Sequence, residues 1–553
     1  MNDVITFRPF DWIIILTYAA VIFTVGFFVV RKPKTSEGYF LAGRRLRWPF
    51  IGASLLASNI SAEHFVGLAG SGYLVGMAIG AAYEWSAIFC LLPLILVFLS
   101  FYLKNRIFTV PEFLERRFDP GVRLLLAAIM VVFSVLTKIA ISLWASALVF
   151  KTLFGWDPAL VIWVVAVITA LYTMKGGLAT VVYTDAIQTV VLLSAACVLT
   201  VLGLHQVGGV AALQAKVPAE LFRAFRPASD PNIPWTGAIF GVMCLGGAFY
   251  WSMDQVLVQR AFAAKNLNEG RKGAIFAGGL KLLIPFVLLV PGIIARALWP
   301  NLPQADQAYP KLLGAIMPHG LLGLTVAGIS AALMGHMSAT FNSVSTMITR
   351  DFFLRWRPKA EQGSQILVGR AAVATVAILG ALWAPIIGRF GSLWDYLQQV
   401  SFGLVVPFAG VFFLGVAWKR ITTKGVWAGT LTGFTIAVVL MADRMWTHLY
   451  GHAPVLPFMH TKYLEPWLHG AIIEFLISAA VMIAVSLKTT PEPQAKLATT
   501  TIVWGRAKRA EAEAAAATAG EAPAPRIPFL KDYRPWLVLV LGMALVLYVV
   551  FSI

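Results

Sequence analysis

Charge is scarce in this chain: 13% of its 553 residues are Asp, Glu, Lys or Arg, against 59% hydrophobic ones. With a mean hydropathy of +0.78, this balance excludes an ordinary soluble domain or a disordered chain and leaves the polytopic membrane class. Cysteine is also scarce. Cys90, Cys197 and Cys244 all fall inside apolar runs without metal-ligand spacing, which argues for buried small hydrophobes rather than a disulfide framework or a zinc site. Neither HExxH nor GxSxG with partner residues occurs, so an intramembrane enzyme has no motif behind it. Acidic residues are outnumbered, 26 against 44 basic ones, for a formal charge of +18. The basic residues sit in short clusters between apolar runs, the pattern that orients membrane proteins, so no nucleic-acid partner is expected. The start lacks a basic region and a small-residue cleavage site, so 10–30 is read as a retained spanning helix.

At about 20 apolar residues per crossing, helices are expected near 10–30, 50–73, 76–103, 122–154, 158–174, 184–206, 236–260, 273–299, 315–349, 368–389, 393–417, 425–443, 470–487 and 535–552. The expectation is an all-α integral membrane protein of about fourteen transmembrane helices. Loops check the count. Arg31, Lys32, Lys34, Arg44, Arg45 and Arg47 follow the first helix, and Lys104, Arg106, Arg116 and Arg117 the third. Basic clusters follow the seventh, ninth, eleventh and thirteenth as well. Those loops are assigned to the cytoplasm, which puts the N-terminus and C-terminus outside. Residues 1–487 form the expected membrane-spanning core, 488–534 an Ala- and Pro-rich cytoplasmic linker, and 535–553 a final helix.

The stretch 50–73 stands out, because Ser58, Asn59, Ser61, Glu63 and His64 lie at its middle. A charge at the bilayer centre costs about 2.5–3.5 kcal/mol on insertion scales. Such a segment should face protein or water, as a broken helix lining a solute site. Five helices later, the seventh is interrupted in the same manner around Gly246, Gly247, Tyr250, Trp251, Ser252, Asp254 and Gln255. Matching interruptions mark inverted repeats, here about 50–206 and 236–417, with one helix before them and three after.

The residues that carry these features resemble the sodium/solute symporters, and within them the sodium/glucose cotransporter branch. The similarity runs from about Tyr39 to Arg420 through YFLAGRRLRWPFIGASLLASNISAEHFVGLAGSGY, YEWSA at Tyr83, TVPEFLERRF at Thr109, TALYTMKGGLATVVYTDAIQT at Thr169, YWSMDQVLVQRAFAAKN at Tyr250, LKLLIPFVLLVPG at Leu280, FNSVSTMITRDFF at Phe341 and WDYLQQ. The resemblance implies a LeuT-type five-plus-five inverted-repeat fold and transport by alternating access.

A hexose offers hydroxyls to bond and an apolar ring face to pack. Glu84 lies mid-membrane between Tyr83 and Trp85, and Lys281 lies in an apolar run without a local counter-ion; bonds between such charged groups and hydroxyls are the strong ones. The resemblance implies sugar contacts from Asn59, His64, Glu84, Lys281 and Gln398. It likewise implies an inner gate at Tyr250 with Trp251 beside it, and outer-gate positions at Leu68, Tyr83 and Trp394. Structural readings stand beside these: Glu84 and Lys281 as a plain interhelical ion pair, His64 as a core histidine, Gln398 as an interhelical hydrogen bond, and the two aromatics as packing. Gly247 departs from relatives that carry a polar residue there.

For the cation, the resemblance implies carbonyls of Ala57 and Ile60 on the broken helix, and Ala332 with a serine pair on the ninth helix. This chain has Gly335 and His336 in place of that pair. Three explanations stay open: His336 titrates and a proton replaces sodium, since histidine changes charge near neutral pH; the site is lost and the protein is a facilitator; or Asp185, Ser338 or Ser330 rebuild a sodium site. The reading is therefore a hexose or polyol transporter in a cell membrane, bacterial and inner, with sodium or a proton as coupling ion and no other cofactor. A membrane sugar sensor is the rival from another class.

Overall fold

The computed structural model describes residues 7–25, 35–61, 63–388, 393–450, 453–457, 467–502 and 532–552. Among these residues there is no strand; two isolated bridges pair Leu46 with Ala264 and Arg226 with Pro234. The helices are α1 (Pro9–Thr24), α2 (Trp48–Asn59), α3 (Ala69–Leu74), α4 (Met77–Lys104), α5 (Pro120–Lys151), α6 (Pro158–Lys175), α7 (Gly177–Val207) and α8 (Gly237–Met253). They continue with α9 (Gln255–Phe262), α10 (Leu267–Leu298), α11 (Leu321–Trp356), α12 (Gln362–Ile387), α13 (Leu393–Ala417), α14 (Thr423–Tyr450), α15 (Trp467–Lys488) and α16 (Arg534–Val550).

Among the described residues, nine helices are long and apolar enough to cross a membrane, and four more apolar helices are shorter. Length and composition thus account for nine of the expected crossings; the two broken pairs and α1, α13 and α16 fall outside that count. Exposed Leu160, Val164, Val167 and Leu171 on α6, and Val538, Leu539, Val546 and Val549 on α16, form outward apolar faces. Such stripes suit lipid, not water.

Both interruptions fall where polar side chains compete for the backbone. Helix α2 stops because Ile60 is extended (φ −77°, ψ 117°), and a π turn, Glu63–Leu68, carries the chain into α3. At the second break Asp254 is extended (φ −69°, ψ 121°) and its carboxylate accepts the N–H of Val256, capping α9. Asp is suited to this position because its oxygen satisfies a donor that the helix start leaves free. Helix α10 packs on α2, and α11 packs on α2 and α7, which draws both breaks to the middle of the molecule.

Several boundaries differ from the sequence expectation by a few residues. The sixth expected helix, α7, starts at Gly177, not near 184, because the chain turns at Gly177, which has φ 61°. A Cβ there would also sit 2.5 Å from the carbonyl oxygen of Tyr39, so glycine is required twice over. In the connection between α7 and α8, Arg226 donates to the carbonyl of Val75 at 2.7 Å. Of the connection expected over 488–534, the first part is tied down: Ile502 N–H donates to Val416 (2.9 Å) and Glu492 accepts from Thr423 (2.9 Å). The Ala-rich run lies outside the described residues.

Candidate functional site

The breaks, together with α4, α5, α10, α11 and α13, enclose a cavity of about 140 Å³. That is roughly ten times the room one water needs, enough for a ring-sized solute. Glu84 reaches it from a π turn, Ala81–Trp85, within α4. Lys138, likewise, comes from a π turn, Ser134–Ile139, within α5. Such turns re-aim side chains and recur at functional sites.

Five of the positions singled out in the sequence form one connected chain. Lys281 is ion-paired with Glu84 and donates to Asn59 Oδ1 at 2.5 Å. The Asn59 amide in turn donates to the Tyr250 hydroxyl at 3.2 Å. On the other side His64 Nε2 lies 3.5 Å from Glu84, while its Nδ1 accepts the N–H of Ser61 at 3.4 Å. That assigns the hydrogen to Nε2, so His64 donates toward the carboxylate. Glu84 and Lys281 are 3% and 1% exposed; breaking a buried pair from one side costs about 3–5 kcal/mol because a lone charge remains.

Trp251 closes one side, its ring 5.8 Å from the Lys281 ammonium. Tyr83 also lines the cavity, whereas Leu68 is buried in the π turn and is not among the lining residues. Trp394 and Gln398 belong to α13, but their side chains lie outside the described residues. Leu397 and Val405 of the same helix do face the cavity.

Two features escaped the sequence reading. Lys138 donates to both carboxylate oxygens of Asp254 at 2.6 Å, directly below Tyr250, whose ring is 5.3 Å from the ammonium. A lone Lys in the apolar run of α5 was the available signal, the same one that marks Lys281. The second is Cys90. A Cβ on Gly247 would lie 2.7 Å from its sulfur and 2.8 Å from the Val242 carbonyl oxygen, so the thiol fills the place a side chain at 247 would take.

At the expected cation position, Ala57, Ile60 and Ala332 are buried where α11 meets the end of α2. A helix end leaves its last carbonyls without intrahelical partners. Here His336 Nδ1 takes one of them, that of Ser58, at 2.5 Å. Gly335 faces α7: an added Cβ would collide with Gln188 Oε1 and come within 3.2 Å of Asp185 Oδ1. Both those oxygens are buried without a hydrogen-bond partner, while Asp185 Oδ2 accepts from Ser54 at 2.6 Å. Ser338 is turned to the carbonyl of Gly335 (2.9 Å), and Ser330 to that of Val326 (2.7 Å).

The sequence model of the sodium:solute symporter family matches residues 39–433. The chain belongs to the sodium:solute symporter family. It is a multi-pass membrane transporter, not an enzyme, and the family match spans every site position from Ala57 to Gln398. The chain is 34% identical over 540 residues to sodium/glucose cotransporter 4 of Mus musculus, covering 90% of this chain and 78% of the relative. It is 34% identical over 542 residues to sodium/myo-inositol cotransporter 2 of Oryctolagus cuniculus, covering 90% and 79%. The fold is similar to that of a substrate-bound, outward-open, Na+-coupled sialic acid symporter, with a TM-score of 0.75 and 21% identity over 88% of this chain and 100% of that one. This symporter therefore has the LeuT-type fold that the resemblance implied.

Proposed function

We propose that this symporter carries a monosaccharide or cyclic polyol, such as a hexose or inositol, through the cavity between its two broken helices by alternating access. The observation that carries the reading is the chain His64–Glu84–Lys281–Asn59–Tyr250 beside the Trp251 ring. It pairs charge-assisted hydrogen-bonding groups with an aromatic face, which is what a sugar ring needs. Sugar and inositol cotransporters at 34% identity support the substrate class.

Coupling is assigned to a cation beside Gly335, between Asp185 Oδ1 and Gln188 Oε1. Two buried oxygens without partners suit a hard cation or a proton shared between them. The missing serine pair then reflects a site moved toward α7, not one abandoned. A second reading, sodium-independent facilitation, is favoured by one observation: the His336 N–H already occupies a carbonyl at the α2 break. We further place both termini outside the membrane and 488–534 in the cytoplasm, from the basic loops, and the protein in a bacterial inner membrane.

The test is uptake of labelled glucose and myo-inositol into proteoliposomes under a sodium gradient, with sodium replaced by choline, and under an imposed proton gradient. Accumulation that needs one gradient identifies the coupling ion. Equilibration without accumulation under either gradient establishes facilitation, and no uptake of any sugar rejects the reading.

A further inference from the structure

His336 stands where the resemblance led us to expect a cation ligand, yet it lines the solute cavity together with Asn59, Glu84, Tyr250 and Lys281. Its two ring nitrogens are in different situations. Nδ1 lies 2.5 Å from the Ser58 carbonyl oxygen. A carbonyl only accepts, so Nδ1 carries the hydrogen, and in the neutral ring Nε2 is then a bare acceptor. That Nε2 is buried and has no hydrogen-bond partner, in a residue that is 1% exposed.

The neighbours do not remove this vacancy. Lys281 is held by Glu84 and Asn59, both ends of the Asn59 amide are engaged, and the Lys138 ammonium is held by Asp254. The ring itself is fixed by the bond to Ser58, so the acceptor is pre-oriented and costs a ligand little ordering. A buried acceptor of fixed direction in a ligand-sized cavity is matched by a donor that arrives with the ligand.

We infer that His336 Nε2 accepts a hydrogen bond from one hydroxyl of the transported solute and so selects for a hydroxyl at one ring position. The inference rests on the monosaccharide reading above. It reassigns His336 from the cation position to the solute. It also separates the roles of two adjacent residues: Gly335 faces Gln188 and Asp185, while His336 faces the cavity.

The experiment is equilibrium binding of a sugar panel to the purified full-length protein in nanodiscs. The panel holds glucose, galactose and myo-inositol, with monodeoxy and monofluoro analogues of each one that binds. Fluorine cannot donate, so at the position served by Nε2 the deoxy and fluoro analogues should lose affinity alike, about tenfold. His336→Asn keeps an N–H for Ser58 and removes the Nε2 acceptor. It should bind the parent sugar about tenfold more weakly and no longer discriminate at that position. His336→Gln, which can carry an amide oxygen to about where Nε2 lies, should recover part of both. Thermal melting of each variant reports on folding, and if His336→Asn does not fold, the position-specific change in His336→Gln decides. Variants that keep every analogue penalty and the parent affinity overturn the inference while leaving the sugar reading intact. Wild-type protein that binds no sugar of the panel overturns the sugar reading, and the inference with it.

Discussion

Neutralising the Glu84–Lys281 pair from both sides separates a substrate-binding role from a structural one. Both side chains are almost wholly buried, and Lys281 also donates to Asn59. Lys281→Met leaves the Glu84 carboxylate facing His64 without the ammonium, and Glu84→Gln leaves the ammonium against the Asn59 oxygen and the Trp251 ring without a carboxylate. Each single change should cost about 3–5 kcal/mol of stability, because the remaining charge stays in a low-dielectric site. The double variant, Glu84→Gln with Lys281→Met, removes both charges together and leaves no lone buried charge, so most of the cost of either single change should not appear. Its melting midpoint in nanodiscs should therefore return to within a few degrees of wild type. Sugar uptake should not return, because the charged groups proposed to bind hydroxyls are gone. A double variant that regains both stability and uptake would refute the reasoning and leave the pair a plain interhelical strut.

Lys138→Ala should abolish uptake and lower the melting midpoint more than Asp254→Asn, since it leaves a buried carboxylate below Tyr250 with only its cap bond to Val256; melting and uptake of the two variants check this. Gly247→Ser should reduce uptake at least about tenfold through its collision with Cys90 and the Val242 carbonyl oxygen, and adding Cys90→Ala should restore it only in part, since the backbone contact remains. Gly335→Ser should not create or strengthen sodium dependence by itself, because Gln188 fills the space, whereas Gly335→Ser with Gln188→Ala should alter the sodium concentration required for half-maximal uptake. Cysteines introduced singly near each end of the chain should react with a membrane-impermeant maleimide in right-side-out vesicles, and protection at either end contradicts the orientation read from the basic loops.

What the sequence made legible was depth. Asn59, His64, Glu84 and Lys281 declare themselves because a polar group in an apolar run carries a cost that only a partner or a solute offsets, and the structure brings these four together. Asp254 is legible for a second reason, as the cap of a helix that restarts within the membrane. Lys138 obeys the same rule as Lys281 but was passed over, its run in α5 having been read for length alone. The gap expected between 174 and 184 is longer than the observed one, since the positive φ of Gly177 turns the chain within a residue or two. What no spacing could reveal are contacts between helices distant in sequence: Cys90 filling the place of a side chain at Gly247, Gln188 filling that at Gly335, and His336 turned to Ser58. These depend on how α4, α7 and α11 pack, so a motif comparison registers only that residues changed. It does not register which neighbour took up the space.

The proposed sugar site is the cavity bounded by Glu84, Lys281 and Trp251. Equilibrium binding of radiolabelled glucose and myo-inositol to the purified protein, beside the Glu84→Gln, Lys281→Met double variant with its folding checked by thermal melting, is the measurement to make. Saturable binding of at least one sugar by the wild type, lost in the double variant, is the expected result. Equal binding by the two proteins, or saturable binding of no sugar by the wild type, would contradict the account.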